Sequence, residues 1–324
     1  MLLISLSKTK LALPYRAVIQ LSTMPSSQDH QEFHLSISAT EQSALDCLSE
    51  HTPFSRQQLK LAMHKGALWI TPASKTNKTD ARQHSKHTRR LRRGKKALSN
   101  GDQLHLYYNE ALLQQEPPAA TLIEDAGSFS VWRKPYGMLS QGSKWSDHCT
   151  LTRWAEQHLS PERPAFLIHR LDRATSGLMV IAHTKGCART LARAFEQRQT
   201  DKRYQAIVEG EFPKSPITQQ EPIDERDASS HFQRLGFDAE RNVSLVDVHI
   251  ETGRKHQIRR HLSALGFPIV GDRLHGNATA DEINLQLCAY RLSFPDPLDT
   301  SAVKREYQLD STLQLTLAIE PSQP

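Results

Sequence analysis

The sequence predicts an α+β protein in two parts. The larger part is built on a mixed, largely antiparallel sheet with few helices, and a small N-terminal α/β part precedes it. Three observations predict this. From residue 128 onward, short apolar and alternating runs follow one another with only two clear helical stretches among them. Between residues 36 and 109, two capped helical patterns precede strand patterns. Between the two lies "EALLQQEPPAATLIEDAG", residues 110–127, which carries four acids, no base and two prolines, and reads as a linker. The chain has 324 residues, room for two domains of about 100–200 residues each.

Taken in order, "MLLISLSKTKLALPYRAVIQLST" is mildly apolar but interrupted by Lys8, Lys10 and Arg16. It lacks the cleavage signature of a secretory signal, and no apolar run approaches a membrane span of about 18 residues. Residues 1–35 are expected to be a poorly ordered leader, with Met24 as an alternative start. In "SATE", Ser38 and Glu41 have capping-box spacing ahead of Ala44, Leu45 and Leu48. A second helix begins after Ser55, turns Leu59, Ala62 and Met63 to one side, and stops at Gly66. Strands are expected at "ALWIT" and, after an N-G-D turn, at "LHLYY".

Between those strands lies a basic insertion, residues 75–96, with ten Lys or Arg against one acid, Asp80. It reads either as a solvated loop or as an electrostatic arm for a phosphate backbone, and a disordered arm that orders on RNA satisfies both. The order helix, helix, strand, basic loop, strand resembles the alpha-L type RNA-binding domain. That resemblance makes Arg56, Lys60, Arg89, Arg90, Arg92, Arg93, Lys95 and Lys96 the expected RNA contacts.

The remaining chain, residues 128–324, opens with the strand "SFSVWRK". Strands "AFLIHRLD" and "LMVIAH" follow, then a helix from Lys185 with Ala188, Leu191, Ala192 and Phe195 on one face. After strand "RYQAIVEG" come further strands around "HFQRLGF", "SLVDVHIETG" and "LQLCAYRLSF". A helix, "KHQIRRHLSALG", turns Ile258, Leu262 and Leu265 inward and ends at Gly266. The four cysteines form no C-x-x-C pair, so they read as reduced thiols, and the histidines show no metal-ligand spacing. No glycine motif for a nucleotide cofactor is present.

Three clusters carry candidate chemistry. In "HRLDRATSG", Asp172 follows a strand and precedes a turn of small residues. It is either the cap of its own turn or a held carboxylate facing a cleft. In "ETGRKHQIRRHL", Arg254, His256, Arg259 and Arg260 surround a strand-to-helix junction. This is either a basic helix face or an anion cradle with one cation reaching an acid. A carboxylate that meets such an arginine in a cleft stays charged, as a nucleophile must be. In "KRYQAIVEG", Tyr204 shares a strand face with Lys202, and a cleft tyrosine both stacks on a base and reaches it through its hydroxyl.

Together with "RKPYGMLSQ" and "GFPIVGD", these elements, in this order, resemble the RluA family of pseudouridine synthases over residues 128–295. The resemblance implies the pseudouridine synthase fold and a cofactor-free isomerisation of uridine in RNA. In that reaction the N1 glycosidic bond breaks, the uracil turns and a C5 bond forms. Asp172 is then the nucleophile, Tyr204 stacks on the base and helps move the C5 proton, and Arg259 pairs with Asp172, with Arg254 the alternative. Arg170 fills the gap left by the flipped uridine and Leu287 walls the uracil site. His169, Thr175, His256, Gln257 and Lys134 are further expected substrate contacts. His183-Thr184, His275 and Cys288 depart from the family pattern, His275 standing where an aromatic residue is usual. The expected partner is RNA, ribosomal first and transfer RNA second, with no membrane, no cofactor, no metal and no obligate protein partner, in a cytoplasmic monomer. A non-catalytic RNA-binding or assembly factor is the alternative from another class. A different aspartate-dependent hydrolase lacks a second catalytic carboxylate.

Overall fold

The computed structural model describes residues 30–38, 43–73, 88–278, 283–299 and 303–317. The chain divides into two compact units. The first contains residues up to 115 together with 143–147, and the second contains 116–142 and everything from 148 onward.

In the first unit, strand β1 (Gln31–Ser36) is followed by helices α1 (Ala44–His51) and α2 (Arg56–His64). Strands β2 (Leu68–Thr71), β3 (Arg89–Arg90) and β4 (Gln103–Tyr108) and the short helix α3 (Glu110–Gln114) complete it. The sheet order is β1-β4-β2-β3, all antiparallel. Alternation in β4 buries Leu104, Leu106 and Tyr108 in the core that also holds Leu45, Leu48, Leu59 and Met63 of the two helices. His105 and Tyr107 alternate with them and fall on the other face of the sheet. Ser55 and Gln58 form a full capping box on α2.

Three expectations are corrected here. β1 falls inside the expected leader, because Phe33 and Leu35 alternate and bury against β4. The cap of α1 is Ser43, whose hydroxyl accepts from the Asp46 amide, and not Ser38; Glu41 lies outside the described residues. Residues 75–87 of the basic insertion also lie outside them. Within its remainder, Arg90 and Arg92 are engaged by their own unit. Arg90 donates to Gly66 O, packs over the Trp69 ring and pairs with Asp147. Arg92 donates to His64 O and to Asp147.

The second unit begins with β5 (Thr121–Asp125), which pairs with β6 (Phe129–Lys134), so the expected linker supplies an edge strand. Then come α4 (Leu151–His158), β7 (Phe166–Leu167), β8 (Ser176–Ala182), α5 (Lys185–Glu196) and β9 (Asp201–Glu209). The chain continues through β10 (Ile217–Gln219), β11 (Ser230–Asp238), β12 (Val243–Ile250), α6 (Gln257–Ala264), β13 (Leu287–Pro295) and β14 (Lys304–Gln308). The sheet runs β10-β11-β12-β9-β13-β8-β6-β5, with β14 on β13 and β7 on β8. Among the described strands only β13 and β8 pair in parallel, so the sheet is mixed and largely antiparallel.

Its two faces are covered differently. On one, Met179, Ile181, Ala206, Val246 and Val248 join α4 and α6. On the other, Val131, Val180, Leu292 and Phe294 join α5. Each fully buried apolar side chain contributes roughly 1.5–3 kcal/mol. Helix α5 turns Cys187, Leu191 and Ala194 inward and leaves Ala192 exposed, a rotation of the expected face by part of a turn. The expected strand "AFLIHRLD" forms a ladder only at Phe166 and Leu167. The residues after them leave the sheet and carry Asp172 to a turn.

Candidate active site

The backbone around Asp172 is pinned from both sides. Ser140 Oγ donates to Leu171 O at 2.7 Å and accepts from Leu171 N at 3.1 Å. Gly137 N donates to Arg173 O, and the Arg173 guanidinium donates back to Gly137 O at 3.1 Å. The amide of Thr175 closes the turn on Asp172 O. Further along, Gly177 has φ +121°, and a Cβ there would lie 2.3 Å from Ala289 O. Only glycine lets β8 approach β13 this closely. The small residues after Asp172 thus fix where its carboxylate points.

A cavity of about 300 Å³ opens at this turn. Asp172, Tyr204 and Arg259 line it together, although they are separated by 32 and 55 residues (204 − 172 and 259 − 204). Arg170 and Thr175 line it from the turn, Arg254 and His256 from the entry to α6, and Leu287 from the start of β13. Ile250 and Ile258 add apolar wall that the sequence reading did not assign. Tyr204 stands on the central strand β9, opposite Val248 of β12 and Ala289 of β13, which fixes its ring.

Two basic side chains face the carboxylate. Arg259 Nη1 is 3.9 Å and His256 Nε2 is 3.8 Å from Asp172 Oδ2. Arg259 is itself buried and is held by a two-point grip from Asp272, at 2.8 and 2.6 Å. Burial pushes the Asp272 carboxyl up, but the Arg259 hydrogen bonds and the amides of His275 and Leu274 outweigh it and hold its pKa at about 2. Asp272 stands in the "GFPIVGD" segment, yet no spacing rule singled it out. Burial and the Asp172 charge push the Tyr204 phenol well above its ordinary range. At neutral pH it is therefore a protonated donor and a stacking surface, not a resting base. A carboxylate, a protonated phenol and a fixed guanidinium around one small cavity suit chemistry on a single nucleobase and its sugar.

Two expected substrate contacts, His169 and Lys134, lie outside the cavity lining, and a third, Gln257, lines it with its amide already engaged. His169 points away from the cavity: its ring stacks on Phe195 at 4.6 Å and accepts from Val180 N at 3.1 Å. Burial, with Lys202 nearby, lowers its pKa to about 3, so it is a neutral core histidine. Lys134 is wholly buried, with its ammonium on Pro135 O, Met138 O and Arg173 O, where it braces the Asp172 turn. Burial pulls its pKa to about 7, against the Asp172 charge. Gln257 lines the cavity, but its amide is saturated by Thr252, Arg254 N, Ser229 O and Ser230. It shapes the loop that carries Arg254 and His256. Among the departures from the family pattern, His183 is buried between Ser130 and Pro164 O, and Thr184 caps α5. Among the described residues no group of three or more ligating side chains is placed to hold a metal, and no helix is long and apolar enough to cross a membrane.

Comparison with known proteins places this geometry. Residues 128–264, which include Asp172, Tyr204 and Arg259, match the family model for RNA pseudouridylate synthases. The chain is 29% identical over 277 residues to an uncharacterized RNA pseudouridine synthase of Aquifex aeolicus, covering 75% of this chain and 82% of that protein. It is 32% identical over 200 residues to the dual-specificity RNA pseudouridine synthase RluA of Salmonella typhimurium, covering 56% of this chain and 90% of that one. The solved structure of human RNA pseudouridylate synthase domain containing 1 shares the fold, with a TM-score of 0.51 at 24% identity over 60% of this chain and 86% of that one. With nine-tenths of the Salmonella enzyme matched at nearly one residue in three, the chain belongs to the RluA family of RNA pseudouridine synthases and is an isomerase acting on RNA.

Proposed function

We propose that the chain isomerises a uridine of structured RNA by an Asp172-dependent, cofactor-free route in which the base is flipped out of its stack. The observation that carries this reading is the convergence of Asp172, Tyr204 and Arg259 on one cavity of about 300 Å³. That volume is at the low end of small-molecule sites, about 300–1,000 Å³, and suits one nucleotide and not a duplex. Flipping costs a few kcal/mol of stacking, least in loops. Arg170, exposed at the cavity rim, is suited to fill the vacated gap. Asp172 attacks the ribose or opens a glycal route by deprotonation. The N1 bond breaks and the uracil turns on Tyr204. C5 then bonds to the ribose carbon, displacing Asp172 from it or, on the glycal route, as the ribose regains its proton; C5 releases its proton and N1 takes one up. Ribosomal RNA is the first expected substrate and transfer RNA the second, in a cytoplasmic monomer.

The test is tritium release from C5-tritiated ribosomal and transfer RNA, with pseudouridine mapping in a deletion strain. Release from one RNA class and loss of the matching pseudouridine identify the target. No release from either would return the chain to the reading of a binding factor.

The first unit supplies the proposed RNA grip. Arg89, Arg93 and Lys95 are exposed and Lys96 half-exposed, whereas Arg90 and Arg92 are held within the unit. On helix α2, Lys60 is exposed, while Arg56 pairs with Asp46 at 2.7 Å. Neutralising Arg89, Arg93, Lys95 and Lys96 together is expected to weaken RNA binding and flatten its salt dependence. The log–log slope should fall by about 0.7–0.9 for each phosphate that is no longer neutralised. Neutralising Arg90 and Arg92 is expected instead to destabilise the unit. An unchanged salt slope in the first variant would remove these residues from the RNA interface.

A further inference from the structure

His275 is a departure from the family pattern that the reaction described so far leaves without a role. It sits on the turn built by Asp272, whose Oδ1 accepts from both Leu274 N and His275 N at 3.0 Å. Gly271, at φ +80°, begins that turn, and a Cβ there would lie 2.5 Å from Ile283 O and Asn284 O, so the turn is seated against the chain ahead of β13. From this rigid mount His275 Nε2 lies 2.9 Å from His256 Nδ1, with the rings near-perpendicular at 72°. The other nitrogen of His256 lies 3.8 Å from Asp172 Oδ2. Asp172, His256 and His275 thus form a line from the cavity to the turn.

The chemistry of two facing imidazoles limits how this line is protonated. At 2.9 Å, one nitrogen of the pair carries the hydrogen and the other accepts it. Burial, reinforced by Arg259 and Lys255, lowers the pKa of His256 against the pull of Asp172. Burial and Arg259 lower that of His275. Both rings are therefore neutral near pH 7. If His256 donated to His275, its far nitrogen would present a lone pair to the Asp172 carboxylate. If His275 donates, His256 presents an N–H to it. The second arrangement places unlike partial charges together, and a ring nitrogen's partner sets the tautomer at the other nitrogen. His256 also occupies the left-handed N-cap of α6, at φ 55°, with no capping hydrogen bond from its side chain, so nothing in its own helix fixes the ring.

We propose that His275 is a positioning residue that holds the His256 ring, through a ring-to-ring hydrogen bond, with its N–H directed at Asp172. A phenylalanine at this position would pack on His256 but has no hydrogen to donate to it. The inference rests on the reading that Asp172 is the reacting carboxylate.

The test is turnover of C5-tritiated RNA by the full chain carrying His275→Phe, His275→Gln or His256→Ala, or His256→Ala with His275→Phe. His275→Phe keeps a ring without the donor and is expected to lower kcat on the order of tenfold with KM unchanged, within the ~100-fold that misplacement near reacting groups costs. His275→Gln carries an amide N–H at the reach of Nε2 and is expected to regain most of that loss. His275→Asn, too short for that reach, is expected to behave as His275→Phe and replaces it if the ring variant does not fold. In the His256→Ala background, loss of His275 is expected to cost nothing further, because the residue acts through His256. Turnover at the wild-type rate in His275→Phe would overturn the proposal. So would an equal failure of Gln and Phe, or losses that multiply in the double variant. Asp172→Ala is assayed alongside: if it keeps turnover, the reading of Asp172 fails, whatever the His275 variants show.

Discussion

Asp172→Asn is expected to abolish pseudouridine formation while leaving the fold and RNA binding intact. The loss should be about 10⁴-fold or more, the scale of removing a nucleophile from an otherwise complete site. The fold is expected to survive because little leans on this carboxylate. Its approaches to His256 and Arg259 are long, 3.8 and 3.9 Å, and Arg259 retains its two-point pairing with Asp272. The turn is held by its backbone, through Ser140, Gly137 and Lys134, and not by the Asp172 side chain. Asp172→Glu separates charge from placement. It keeps the carboxylate but carries it one methylene further, and a misplacement of about 1 Å at a reacting group costs on the order of 100-fold. Tritium release, gel-shift affinity and melting temperature for both variants form one experiment. Turnover by Asp172→Asn within about tenfold of the parent would end the role of Asp172 as the reacting group.

The order of elements in the second unit was legible because its strands alternate and its helices carry one apolar face. The residues that converge on the cavity were legible only as a set, since each motif alone also reads as a turn cap, a basic helix or a sheet tyrosine. What escaped was side-chain direction. His169 and Asp172 stand close together in one motif, yet the chain leaves the sheet after Leu167 and sends one ring into the core against Phe195 and the other side chain into the cavity. Lys134 looked like a cation for substrate, but its strand lies opposite Gly177, and its ammonium ends among the backbone carbonyls that brace the turn. Arg90 and Arg92 belong to a run of positive charge whose members are equivalent in sequence. Only the fold shows that Asp147, dozens of residues later, takes two of them. Periodicity reports burial along one element. It carries no information on which buried group meets which partner from a distant one, and Asp272 is the clearest instance.

Asp272→Asn is expected to cost both stability and turnover, by separable routes. The Arg259–Asp272 pair is buried, with side chains 8% and 1% exposed. Removing one partner of such a pair costs about 3–5 kcal/mol, because the other charge stays buried without its counter-ion. Asparagine retains an oxygen for the amides of Leu274 and His275, so the turn itself is expected to persist and the cost to fall toward the lower end. The pH dependence carries the sign. The Asp272 pKa is about 2 in the folded chain, against about 3.9 unfolded, so its contribution of roughly 2.5 kcal/mol is present above about pH 4 and lost as pH falls through about 2. The variant should lack that part of the acid decline. For turnover, Arg259 freed from Asp272 has Asp172, at 3.9 Å, as its remaining carboxylate. Closing on it would hold Asp172 in an ion pair and away from substrate, for a loss on the order of tenfold to 100-fold in the folded variant. Urea midpoints from neutral to acid pH test the first route, and single-turnover rates at a pH where both proteins are folded test the second. Equal midpoints at neutral pH would show that Arg259 does not depend on Asp272. Equal rates would show that the divided allegiance of Arg259 does not govern Asp172.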